Sequence, residues 1–177
     1  ENIGKPLATA LDAYAPKGYE VNPEMISNAY RKWYAEQGRL GLQDEPLYPG
    51  MFKLINDLKN HKEFNIGVAT NKSRIALNNG LNKHNLNEIF DITLTMEEAN
   101  PKPDPDMAIQ AMSKLNIEKK STIIVGDTIN DIGLGVNAGI NSIGVAWGYN
   151  SIEMLKNEGA DFIVKDSKEL FETIINL

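Results

Sequence analysis

From Phe52 to the C-terminus, short apolar runs of β-forming residues alternate with amphipathic helical stretches, and this alternation limits the fold more than any other feature. Strands separated by helices of this length are joined by crossovers rather than hairpins, which gives βαβ units and a mostly parallel sheet. Beyond Pro49-Gly50, Leu54, Ile55 and Leu58 recur at helical spacing and predict a helix over 51–62. The pattern then predicts strands at 64–69, 91–95, 121–125, 142–146 and 161–164. Between and after them it predicts helices at 73–84, 104–116, 130–138, 151–158 and 167–175. Ser121-Thr122-Ile123-Ile124-Val125 is the strongest strand signal, and Gly139 is a natural helix stop. Residues 1–47 contain no good strand run. Ile26, Ala29, Tyr30, Trp33 and Tyr34 instead fall on one helical stripe between Pro23 and Gly38, which predicts a buried packing face. The expected architecture is α/β: a small helical subdomain at 1–47, then a Rossmann-like parallel sheet over 48–177.

Composition excludes several classes of function. Lys and Arg total 18 against 24 Asp and Glu, a formal net charge of -6, so a nucleic-acid backbone is a poor partner. A small anion remains possible where a few positive groups and backbone amides converge. Cysteine is absent, which removes disulfides, a thiolate nucleophile and a Cys-based zinc site. No apolar run is long enough to cross a bilayer, and Glu1-Asn2-Ile3-Gly4-Lys5 carries no signal-peptide hydrophobic region. The expectation is a cytoplasmic protein without membrane partners. A dinucleotide-binding Rossmann domain is disfavoured, because Gly133 and Gly135 lie inside a predicted helix and no Gly-x-Gly-x-x-Gly follows a strand.

In open parallel sheets ligands bind at the carboxyl ends of the strands, so the residues following each strand carry the functional reading. Strand 64–69 is followed by Thr70-Asn71-Lys72-Ser73. A hydroxyl, an amide and a helix start converge there, which suits an oxyanion, although the tetrapeptide taken alone reads first as Asn71 or Ser73 capping a helix. Strand 91–95 leads to Asn100-Pro101-Lys102-Pro103-Asp104-Pro105-Asp106. Prolines on both sides of Lys102 stiffen the backbone and deliver its charge to a fixed place, unless it is simply a surface lysine in a turn. Strand 121–125 leads to Gly126-Asp127-Thr128-Ile129-Asn130-Asp131. A carboxylate directly after apolar strand residues is costly unless paired or metal-bound. Two carboxylates at this turn point to Mg²⁺, which takes one or two carboxylates together with waters and substrate phosphate. Asp131 could also serve the helix dipole. Hydroxyl, lysine and carboxylates on successive strand ends compose a phosphoryl-transfer kit.

These motifs resemble the haloacid dehalogenase-like hydrolase superfamily, in its phosphoglycolate-phosphatase-like branch with a helical cap. Val68-Ala69-Thr70-Asn71-Lys72, Lys102-Pro103-Asp104-Pro105 and Val125-Gly126-Asp127-Thr128-Ile129-Asn130-Asp131 match its second, third and fourth motifs, and Tyr48-Pro49-Gly50 and Gly144-Val145-Ala146-Trp147-Gly148-Tyr149 also match that branch. The resemblance implies that Thr70 binds the phosphoryl group, that Asn71 shapes the pocket and that Lys102 neutralises phosphate and nucleophile. It implies Mg²⁺ on Asp127, with Asp131 holding a metal-bound water or Lys102. Gly4-Lys5-Pro6-Leu7 resembles a cap segment facing the substrate, so Gly4 and Lys5 join the candidate binding residues.

The family's first motif, an apolar strand ending in Asp-x-Asp-Gly-Thr, has no counterpart in residues 1–177. Asp104-Pro105-Asp106 follows a lysine rather than a strand, and Asp12 lacks both the strand and the Gly-Thr. The resemblance places that strand mid-sheet, between the strands bearing Thr70 and Asp127. The expectation is therefore a nucleophilic Asp upstream of residue 1, with the missing strand supplied by a preceding segment or a second chain. The expected activity is a Mg²⁺-dependent phosphatase of a small phosphorylated metabolite, acting through an aspartyl-phosphate. A sugar-phosphate mutase, a pyrophosphatase or a non-catalytic phosphate-binding domain are the alternatives. Lys5, Lys17, Arg31 and Arg39 could meet a distal substrate carboxylate, but each also fits a solvated surface; His61 and His84, in polar helix ends, are not read as catalytic.

Overall fold

The computed structural model describes residues 22–39 and 45–177. The chain divides into two compact units, Glu1–Pro46 and Leu47–Leu177.

In the first unit, helix α1 spans Pro23–Arg39. The Asn22 carboxamide oxygen caps it, accepting from the backbone N–H groups of Glu24 and Met25. The aromatic stripe departs from the expected buried face: Tyr30 is 40% and Trp33 56% exposed, and Ala29 is exposed as well. Their rings pack along the helix instead, with Tyr30 against Trp33 at 5.8 Å and against Tyr34 at 6.0 Å between centroids. Helical i, i+3 and i, i+4 spacing brings these neighbours together.

The second unit runs α2 (Met51–Asn60), β1 (Gly67–Thr70), α3 (Arg74–Lys83), β2 (Ile92–Thr95) and α4 (Asp106–Leu115). A 3₁₀ turn at Lys119–Ser121 leads into β3 (Ile123–Gly126), α5 (Ile129–Ala138), β4 (Asn141–Val145), α6 (Ile152–Glu158), β5 (Phe162–Val164) and α7 (Ser167–Ile175). Every strand pair is parallel. The strands form two ladders, β1-β2 and β3-β4-β5, so hydrogen bonding is interrupted between the strands that carry Thr70 and Gly126. A continuous apolar layer covers one face of both: Met107, Ala108 and Met112 of α4 and Leu134 and Ala138 of α5 enclose Leu94, with Ala69 and Ile124 packed on them. On the other face Leu54 and Leu58 of α2 and Leu170 of α7 cover Ile143, Val145 and Val164, with Ile123 and Val125 against them. Ile124 thus faces one helical layer while Ile123 and Val125 face the other, the period-two alternation of a strand buried on both sides.

Boundaries moved where side chains compete for backbone groups. The run expected as strand 64–69 pairs only from Gly67, because the Asp91 carboxylate takes the Ile66 N–H at 2.9 Å. The helix expected from Asp104 starts at Asp106, because Asp104 N–H donates to the Pro101 carbonyl and the Asp104 carboxylate accepts from Asp106 N–H. Gly139 ends α5 in the left-handed region at φ 69°, as its position suggested.

The carboxyl ends of β1 and β2 are tied by Arg74, the first residue of α3. Its guanidinium donates to Glu98 Oε1 and Oε2 and to the Thr93 hydroxyl and carbonyl, while Glu98 Oε2 accepts from the Thr95 N–H and hydroxyl. Arg74 chiefly, with Thr95, holds the Glu98 carboxyl at about 2, against 4.5 ordinarily. A lowered carboxylate pKa contributes stability that is fully present above pH 4.5 and lost as pH falls toward about 2. Glu98→Gln is therefore expected to cost about 1 kcal/mol or less near neutrality, since the pair is over a quarter exposed on each side. Urea denaturation across pH should show the gap between the two proteins closing below 4.5. A gap of constant size down to pH 2.5 would remove this assignment.

Candidate active site

Thr70 is the last residue of β1, and its hydroxyl accepts from the Lys72 N–H at 3.1 Å, which leaves the hydroxyl proton for another acceptor. Asn71 reaches across to the Pro101–Pro103 turn. Its Oδ1 accepts from Lys102 N–H at 2.8 Å and its Nδ2 donates to the Lys102 carbonyl at 3.1 Å, a two-bond clasp on the backbone of one residue. The backbone of Lys102, followed by a cis Lys102–Pro103 peptide bond, is thereby fixed to the end of β1. Its ammonium donates to the Ala69 carbonyl at 2.8 Å and pairs with Asp131 Oδ1 at 2.5 Å. The lysine side chain is 12% exposed and the aspartate 8%, so the pair is nearly dry.

Asp131 owes its position to a capping box at the start of α5. Its Oδ2 accepts from the Thr128 N–H at 3.0 Å and hydroxyl at 2.7 Å, while the Thr128 side chain caps the Asp131 N–H. Gly126 makes room for it, since a Cβ there would lie 2.2 Å from the Asp131 side chain. Asp127 follows directly after β3, and its Oδ2 accepts from the Tyr149 N–H at 3.0 Å. Tyr48 lies on the same side: burial pushes its phenol upward, and the negative charge of Asp127 adds to the shift. The result is one hydrogen-bonded path, from Asn71, next to Thr70, through Lys102 and Asp131 to Thr128, next to Asp127. It crosses the interruption between the two ladders.

The two carboxylates paired by the sequence reading are not equivalent. Both oxygens of Asp131 are engaged, one by Lys102 and one by Thr128. Among the described residues Asp127 Oδ1 accepts no hydrogen bond, so it is the oxygen open to a cation. No group of three or more His, Cys, Asp or Glu converges among the described residues, which disfavours an all-protein metal cage. One free carboxylate oxygen at a strand end does fit Mg²⁺, which keeps most of its waters and shares substrate phosphate.

Of the other candidates, Gly4, Lys5, Asp12 and Lys17 lie outside the described residues, as does the side chain of Arg39. Arg31 is exposed, its guanidinium 3.5 Å from Asn28 Oδ1. The Asp104 and Asp106 carboxylates accept from the N–H groups of Asp106 and Asn100, serving the entry to α4. His61 packs its ring against Phe64 and Phe171, and His84 caps α3. The sequence reading missed Thr128 and Asn150 as site neighbours. Thr128-x-x-Asp131 is a recognisable capping pattern, whereas nothing local marks Asn150.

Comparison with known proteins gives the family. Residues 1–145 match the family described as haloacid dehalogenase-like hydrolase. The chain is 30% identical over 171 residues to pyrophosphatase PpaX of Bacillus velezensis, covering 95% of this chain and 74% of that protein. It is 31% identical over 171 residues to the probable phosphatase IndB of Dickeya dadantii, covering 95% and 73%. The crystal structure of a predicted phosphatase from Clostridium acetobutylicum superposes with a TM-score of 0.82 at 30% identity, covering 98% of this chain and 79% of that one.

Proposed function

The chain belongs to the haloacid dehalogenase-like hydrolase family and is a phosphoric ester hydrolase, and from this premise we propose that it is a Mg²⁺-dependent phosphatase of a small phosphorylated metabolite. One observation carries the reading. The Lys102 ammonium is clamped between the Ala69 carbonyl and Asp131, beside Thr70 and on the path to Asp127. A buried, doubly held lysine next to a strand-end hydroxyl is a fixed positive centre for a phosphoryl group.

The roles follow from the contacts. Thr70 donates its hydroxyl proton to a phosphoryl oxygen, the Lys72 N–H having oriented the oxygen. Lys102 neutralises charge on the phosphoryl oxygens, and Asn71 holds the lysine backbone in place. Asp131 keeps the Lys102 ammonium aimed, and Asp127 offers Oδ1 to Mg²⁺. When bound, the ion neutralises phosphate charge and polarises the ester. Such a frame works by positioning and electrostatics, the larger part of phosphoryl-transfer catalysis. Inorganic pyrophosphate is a second substrate to consider, because PpaX, 30% identical to this chain, is named a pyrophosphatase.

Release of inorganic phosphate by the full-length protein tests the reading, with phosphoglycolate, sugar phosphates and pyrophosphate as the panel and with and without Mg²⁺. Wild type is expected to turn over at least one of them, and Asp127→Asn to lose about 10²-fold or more. Full turnover by Asp127→Asn would remove the metal role. Release from none of the panel would shift the reading to a phosphate-binding domain.

A further inference from the structure

The loop between β4 and α6 holds Asp127 at two points and the start of α5 at a third. Tyr149 N–H donates to Asp127 Oδ2 at 3.0 Å, and Asn150 N–H donates to the Asp127 carbonyl at 3.1 Å. The Asn150 side chain then reaches past Asp127 and accepts from the Ile129 N–H at 2.8 Å. Ile129 opens α5, so this N–H is one of the four donors that a helix start leaves without an intrahelical partner. Asn150 therefore binds the chain on both sides of Thr128, at the Asp127 carbonyl with its backbone and at the Ile129 N–H with its side chain. Gly148 permits the approach: a Cβ there would stand 2.1 Å from Asp127 Cβ and 2.4 Å from Oδ2, closer than the carboxylate could tolerate without moving.

The consequence is selective for one oxygen. The grip occupies Oδ2 and fixes the backbone of Asp127, and among the described residues it leaves Oδ1 as the open acceptor. β3 and β4 are neighbours in register, Gly126 opposite Gly144, so the loop leaving β4 emerges beside the end of β3. We propose that residues 148–150 are a clasp that sets the orientation of the Asp127 carboxylate toward its cation, with Asn150 as its positioning residue. The inference rests on Asp127 being the Mg²⁺ ligand. Groups that orient a metal ligand without touching the metal commonly change metal affinity by 10- to 100-fold when removed.

Direct binding of Mn²⁺, as a paramagnetic stand-in for Mg²⁺, tests this on the full-length protein without substrate, read by electron paramagnetic resonance. Thermal unfolding is followed in parallel. Asn150→Ala deletes the bond to Ile129 N–H and is expected to raise the Mn²⁺ dissociation constant about 10-fold, in protein that still unfolds cooperatively. Asn150→Asp keeps an acceptor oxygen at the same reach and is expected to bind within about threefold of wild type. Asp127→Asn separates the two layers of the argument. If it leaves Mn²⁺ binding intact, or wild type binds none, the reading of Asp127 as metal ligand falls and the clasp falls with it. If Asp127→Asn abolishes binding while Asn150→Ala matches wild type, the clasp alone is overturned. Equal weakening in Asn150→Ala and Asn150→Asp would also overturn it, since the acceptor would then not be the operative group.

Discussion

Asp131→Ala is expected to destabilise the protein by about 3–5 kcal/mol, the cost of leaving one member of a buried ion pair without its partner. The substitution removes the acceptor for the Lys102 ammonium and the acceptor for the Thr128 N–H and hydroxyl together. The Lys102 ammonium, on a side chain 12% exposed, would keep only the Ala69 carbonyl among the described residues. A domain of this size is stable by roughly 5–15 kcal/mol, so the loss is a large share of the total and should lower Tm by about 10 °C. The decisive measurement is a double-mutant cycle by urea denaturation with Lys102→Met. Once the lysine is replaced by an apolar chain of similar length, removing Asp131 no longer strands a charge. The double variant should therefore be no less stable than Asp131→Ala alone. Simple additivity of the two losses would show that the pair is not coupled, and the energetic argument would fail.

How far the sequence carries depends on whether the deciding contact is local. The strand–helix alternation was legible because each element buries its own apolar run, and β1 to β5 all appear within a few residues of their expected positions. The candidate site was legible for a related reason. Thr70 and Asp127 stand at or just after strand ends, so chain order alone brings them to one edge. What it could not supply were partners far apart in the chain. Asn71 and Lys102 are separated by 31 positions and Ile129 and Asn150 by 21, and no spacing rule links them. The same holds for β1, whose start is set by a carboxylate on Asp91 rather than by its own apolar residues. Asp131 is instructive in a different way. Its capping pattern with Thr128 was readable, the family resemblance left its other partner open between a metal-bound water and Lys102, and the fold puts its second oxygen on Lys102. The stripe on α1 had the correct period for a helix, yet period says nothing about what covers it, and Tyr30 and Trp33 remain exposed.

Lys102→Met is expected to lower kcat/KM for phosphate release by about 10³-fold, the scale for loss of a preorganised charge at a transferring phosphoryl group. Lys102→Arg should not restore it. The ammonium is a point charge held between a carbonyl at 2.8 Å and a carboxylate at 2.5 Å in a nearly dry site, and a planar guanidinium fork cannot satisfy both from the same place. Asn71→Ala gives the contrasting case, because it leaves the charge present but frees the Lys102 backbone from its two-bond clasp. A displacement of about 1 Å at a reacting centre can cost about 10²-fold, so Asn71→Ala should fall between wild type and Lys102→Met, with most of its loss in kcat. Steady-state kinetics of phosphate release, with thermal unfolding of each variant as a control, distinguishes these outcomes. Recovery of activity in Lys102→Arg would mean that charge alone suffices, and an unaffected Asn71→Ala would mean that the flanking prolines hold the lysine without help. The predicted order, with Lys102→Met and Lys102→Arg both below Asn71→Ala, requires that charge and its placement are both needed.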